Sequence, residues 1–201
     1  MQAFLDEIRL FAPRIGSSRS ILAHLALLAV FGFVTPRFKG LDFFDPQILG
    51  AYACLGLIFA GPATAQLFPE GISTSFQQAK ARIFVGVLYG EVVALTLLAA
   101  GIATVYWSYR GHFVPTPDWE SLARTALFGW GASAAAASLA AWVAVRFSRR
   151  VATLCLRLIF FALLILFYYR GQWLPEIGLA AAGGALAVAG VFLALLGRAV
   201  R

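Results

Sequence analysis

Residues 83–107 read IFVGVLYGEVVALTLLAAGIATVYW, and Glu91 is the only charged residue among them. At about 1.5 Å of rise per residue, a helix of this length crosses a hydrocarbon core of about 30 Å. The run is therefore read as a transmembrane helix, and the rest of the chain is read outward from it.

Five further apolar segments flank it, at about 20–36, 46–68, 125–145, 151–169 and 177–197. Four carry no Asp, Glu, Lys or Arg, and 151–169 holds only Arg157. The expected fold is all-α: a polytopic membrane bundle of six transmembrane helices over 20–201, preceded by an interfacial amphipathic helix over 1–19. In that first segment Phe4, Ile8, Phe11 and Ile15 share one helical face, as a helix lying in the headgroup plane requires.

Composition supports the same class. The chain has 201 residues, 61% of them hydrophobic and 12% charged, with a mean hydropathy of +0.84. Soluble domains carry about a quarter charged residues. So few charges cannot cover a water-facing surface. An ordinary soluble globule, a disordered tail and a nucleic-acid module are excluded.

The net charge of +7 comes mostly from arginine, since Lys39 and Lys80 are the only lysines. Basic residues at membrane faces set topology and touch anionic lipid. With the N-terminus cytoplasmic, Arg9, Arg14, Arg19, Lys80, Arg82, Arg146, Arg149, Arg150, Arg157, Arg198 and Arg201 fall inside. Only Arg37, Lys39, Arg110, Arg124 and Arg170 fall outside. Both termini are expected in the cytoplasm. The arginine bias and the lack of a cleavable leader pattern point to a bacterial inner membrane. Cys54 and Cys155 lie in apolar runs and read as packed hydrophobes rather than a disulfide.

Within the membrane, small residues at four-residue spacing mark faces where backbones approach closely. Gly86, Gly90 and Ala94 form one such stripe, and Gly129, Ser133, Ala137 and Ala141 another. Gly183 with Ala187, Gly190 with Ala194, and Gly56 with Ala60 repeat the spacing. A tight bundle is expected, with a face open to a second copy and hence a homodimer.

Glu91 lies roughly 13 Å from the start of its span, near the middle of the core. A carboxylate there faces the bundle interior, pairs, or lines a path. Three roles compete: a hydrogen bond to a neighbouring helix, a site for a cationic or polar substrate or proton, and a contact with a partner subunit. Pro62, in Gly61-Pro62-Ala63-Thr64, removes a backbone donor within the second span, and Thr64 is placed to help the freed carbonyl. Glu91, Pro62 and Thr64 are the candidate translocation-path residues.

At the surface, Asp45-Pro46 reads as a helix start, with Asp as N-cap and Pro at the first helical position. Residues 70–82, EGISTSFQQAKAR, form a polar piece with Ile72 and Phe76 four apart, read as a solvated loop or a short amphipathic helix that docks a partner. Its candidate docking residues are Glu70, Gly71, Phe76, Lys80 and Arg82. His112, Asp118 and Glu120 share an outer loop without a recognised metal-ligand spacing.

No HExxH motif and no GK[ST] phosphate loop occur. Gly129-Trp130-Gly131-Ala132-Ser133 superficially matches an intramembrane serine protease, but no histidine falls in the fifth or sixth segment to act as base. No catalytic residues, metal or cofactor are expected, and the chain is read as a non-enzyme.

The layout resembles ABC-2-type transporter permease subunits. Residues 4–15 would correspond to their cytoplasmic elbow helix, and Glu70-Gly71 with 75–82 to the acidic loop and coupling helix before their third span. The resemblance implies a dimer of these subunits with separate ATPase chains docking on 70–82. Two alternatives stand beside a transport permease: a non-catalytic scaffold or assembly subunit of a larger membrane complex, and a membrane enzyme acting on lipid.

Overall fold

The computed structural model describes residues 46–68, 74–108, 119–170 and 174–200, with positions 5, 6, 9 and 26 besides. Among these it is all-helical, with five helices: α1 (Pro46–Gln66), α2 (Phe76–Ser108), α3 (Trp119–Arg146), α4 (Arg149–Arg170) and α5 (Leu174–Ala199). Positions 5, 6, 9 and 26 are helical too. Phe4, Ile8, Phe11 and Ile15 lie outside the described residues, as does nearly all of the expected first span.

Three helices hold stretches long and apolar enough to cross a membrane: Phe76–Ala100, Leu122–Arg146 and Gly178–Ala199. Helices α1 and α4 coincide with the expected second and fifth segments. The described residues thus carry three helices of span length and apolarity rather than the expected six.

The ends of the helices follow their local chemistry. Helix α1 starts at Pro46, where a missing N–H costs nothing because the first amides of a helix have no internal partner. At its C-terminus the Leu67 N–H donates to the Thr64 carbonyl (2.9 Å) and the Phe68 N–H to that of Ala65 (3.3 Å). These three-residue bonds tighten the last turn.

Helix α2 opens with a capping box. The Gln78 N–H donates to Ser75 Oγ (3.3 Å), and the Ser75 N–H donates to Gln78 Oε1 (3.0 Å). From there it runs 33 residues without a break, about 50 Å. The expected polar piece before the third span is therefore continuous with that span from Phe76 onward. Gln, Ala, Lys and Arg in FQQAKAR are good helix formers, and neither Gly nor Pro interrupts them.

Helices α3 and α4 are joined by Phe147 and Ser148 alone. Ser148 Oγ accepts from the Val151 N–H (3.3 Å) and caps α4.

Helices α1 and α3 occupy the middle of the bundle. Helix α3 packs most extensively on α5 and α1, and α1 also packs on α2 and α4. The alanine-rich centre of α3 permits this, since Ala136, Ala137, Ala140 and Ala141 are all buried. Helix α5 buries a narrower stripe, including Gly178, Ala182, Ala189 and Leu196. Large apolar side chains face outward from four helices: Val92 and Leu95 on α2, Leu127 and Trp130 on α3, Leu158 and Ile165 on α4, and Leu186 and Val191 on α5. An apolar outer surface of this extent suits acyl chains rather than water.

Candidate functional site

The stripe Gly86, Gly90 and Ala94 brings α2 against α1. A Cβ added at Gly90 would lie 2.6 Å from the Gly56 carbonyl oxygen and 2.7 Å from the Ala60 nitrogen. One added at Gly86 would collide with the side chain of Thr64 and lie 3.1 Å from the Ala60 carbonyl oxygen. The two backbones therefore approach at a distance only glycine allows, which fixes the depth and rotation at which the next residue, Glu91, meets its neighbours.

Glu91 is 6% exposed, and it meets α3 and α1 together. The Ser133 hydroxyl of α3 donates to Glu91 Oε1 at 2.5 Å. A Cβ at Gly56 of α1 would fall 2.6 Å from both Glu91 Oε1 and Ser133 Oγ. Three helices thus converge on one polar pair, and glycine makes room for it. Ser133 is wholly buried, so this bond supplies its polar partner inside the apolar bundle.

The other expected path residues are placed near this junction, without joining it. Thr64 is wholly buried, and its hydroxyl donates to the Ala60 carbonyl of its own helix (2.7 Å). Its hydroxyl therefore goes to a carbonyl other than that of Ile58, which Pro62 deprives of a donor. Pro62 lies inside α1 and is partly exposed. Ala137 is wholly buried and Gly129 is buried. Around Gly183 a Cβ would meet nothing within 4 Å, so among the described residues no helix packs there.

Of the expected docking residues, Glu70 and Gly71 lie outside the described residues. Phe76 and Lys80 are exposed on the first turns of α2, with Lys80 Nζ 5.0 Å from the Phe76 ring centre. The Phe76 ring also sits beside α5, 3.3 Å from where a Gly197 Cβ would be. Arg82 turns inward instead. It is 6% exposed, donates to Thr74 Oγ1 (2.9 Å), and stands 5.5 Å from the Phe68 ring centre. It ties the end of α1 to the start of α2 through a hydrogen bond and a cation–π contact.

Glu120 is paired with Arg124 one turn along α3, while His112 and Asp118 lie outside the described residues. Among the described residues no three His, Cys, Asp or Glu side chains gather as a metal site would need.

Ser133 and Gly56 stand out in the sequence as small residues in helix-packing stripes. Their role as partners of Glu91 becomes visible only when α1, α2 and α3 are brought together. Chemically, a serine hydroxyl donating to a carboxylic group is an interhelical clasp. A nucleophile would need a stronger base and an oxyanion-binding pair of N–H groups, and helical amides in mid-span already serve their own helix.

Compared with protein-family descriptions, curated proteins and solved structures, the chain has no match.

Proposed function

We propose that the chain is a non-catalytic integral-membrane subunit of a larger complex, in which the helical bundle is a rigid packing element. The observation that carries this reading is the Glu91–Ser133 pair closed over by Gly56. Its carboxyl group is buried and engaged by a neighbouring helix. That arrangement joins helices, whereas a path residue would face an open, wetted lumen. The outward apolar faces of α2, α4 and α5 leave ample surface for lipid and for other membrane chains.

A second reading, a transport permease working with a separate ATPase chain, is favoured by one feature. Helix α2 is longer than a bilayer core and presents Phe76, Gln77 and Lys80 at its N-terminal end, where a soluble partner could dock. In that reading the six spans, the cytoplasmic termini and the bacterial inner membrane expected from the sequence all apply.

Gentle detergent extraction, followed by mass spectrometry of co-purifying chains, separates the two. Other membrane subunits without an ATPase support the scaffold. A stoichiometric P-loop ATPase, released by Lys80→Glu, establishes the permease. Glu91→Gln sharpens the result, because it keeps an acceptor for Ser133. The scaffold reading expects unchanged assembly and unchanged activity of the complex. Intact assembly with lost activity would overturn it.

A further inference from the structure

Another polar concentration among the described residues lies at the start of α4. A pocket of about 620 Å³ is lined there by Arg149, Arg150, Thr153, Leu154 and Arg157, with Gln66 from the end of α1. Arg149, Thr153 and Arg157 are spaced four apart and so share one helical face, with Arg150 beside them. Between Glu120 and Glu176 the chain carries no carboxylate, and no acidic side chain lines the pocket among the described residues.

The Arg150 and Arg157 guanidinium groups bring like charge to one cavity, beside Arg149, which has a further interaction of its own, and the positive end of the α4 dipole adds to their field. An anion relieves both. Guanidinium groups offer paired donors that match the oxygens of a phosphate group. Gln66 is exposed and brings a neutral amide donor from a second helix. Leu154 is 59% exposed and gives the pocket one apolar wall, beside the exposed Leu158. That wall suits the first methylenes of an acyl chain.

We infer that Arg149, Arg150 and Arg157, with Gln66, bind the phosphate group of an anionic ligand in the pocket between α1 and α4. The ligand is an anionic phospholipid headgroup or a soluble phosphate, and the chemistry of recognition is the same for both. The site stands apart from the Glu91 junction and does not depend on the scaffold or permease reading.

The test uses the full chain purified in detergent micelles. Native mass spectrometry measures retention of phosphatidylglycerol against phosphatidylcholine. In parallel, thermal unfolding is followed in inorganic phosphate and in chloride at matched ionic strength. Preferential retention of phosphatidylglycerol identifies a lipid headgroup site. Stabilisation by inorganic phosphate that is lost in the Arg150→Gln, Arg157→Gln double variant, without lipid preference, identifies a soluble phosphate site, because the general stabilisation of the folded state by phosphate would persist in that variant. Absence of both overturns the inference.

Arg150→Gln with Arg157→Gln removes two charge-assisted donors, so the apparent affinity for the retained ligand falls by about tenfold or more. Arg146→Gln with Arg198→Gln, exposed changes at the ends of α3 and α5 and outside the pocket lining, is the charge-matched control, expected to alter affinity by less than about twofold. Equal losses in the two proteins would mean diffuse attraction to net charge, and would also overturn the site.

Discussion

Helices α2 and α5 carry the same device in two settings. Gly86, Gly90 and Ala94 repeat small residues every fourth position along α2, and Gly183 with Ala187 and Gly190 with Ala194 repeat them along α5. On α2 the stripe is buried, and added methyl groups would strike the backbone of α1. On α5 the stripe is exposed among the described residues, and added methyl groups at Gly183, Gly184 and Gly190 would meet none of them within 4 Å. A small-residue stripe allows close approach and does not compel it. Lipid and a neighbouring helix are equally apolar, so the choice falls to packing detail and to polar groups that need a partner. Only the α2 stripe has one, because Glu91 follows Gly90 directly.

The contrast can be broken most sharply at Gly90. Gly90→Val places carbon atoms against the Gly56 carbonyl and the Ala60 nitrogen, and backbone cannot yield as a side chain can. A loss of about 3 kcal/mol or more is expected in detergent unfolding followed by circular dichroism, at or beyond the upper end for overpacked cores. A change below about 0.5 kcal/mol, within the range of ordinary surface substitutions, would mean that α1 and α2 do not meet at this distance.

Ser133→Ala tests the polar half of the junction. It leaves Glu91 buried without the hydroxyl it accepts from, and should cost about 1–2 kcal/mol in the same assay. A neutral result would show that the clasp adds nothing beyond apolar contact. It would also leave apolar packing alone to draw α2, and not α5, inward.

Gly184→Ala probes the open face and should leave stability unchanged or raise it by up to about 1 kcal/mol, since alanine is the better helix former, with the oligomeric state unaltered in multi-angle light scattering. A marked loss together with a fall in mass would mean that a second copy covers this face. The two stripes would then do the same work, one within the chain and one between chains.

Much of the fold was legible in advance. The runs 83–107, 125–145 and 177–197 fall within α2, α3 and α5, because a long apolar stretch with at most one charge satisfies its backbone best as a continuous helix. Pro46 at the start of α1 followed from proline's fixed φ and absent donor. The continuity of α2 from Phe76 was harder to read. The polar composition of FQQAKAR resembles a surface loop, yet the Ser75–Gln78 capping box and good helix formers join it to the apolar run behind it. Arg82 misled for a related reason. A cation beside polar residues looks exposed, but Thr74 and the Phe68 ring give it a partner and a surface inside.

By itself, the sequence determined that the described residues are helical, that three of the helices are long and apolar enough to cross a membrane, and that one carboxylate must find company in the interior. These follow from residue type and local spacing, which act through backbone hydrogen bonding and transfer from water. The tertiary structure alone decided which company Glu91 keeps, which glycine stripe is used, and where arginines from α4 meet the end of α1 around one pocket. Those outcomes depend on the depth and rotation of whole helices against one another, which no single segment encodes. Glycine at 56 and serine at 133 have meaning only once three helices stand side by side.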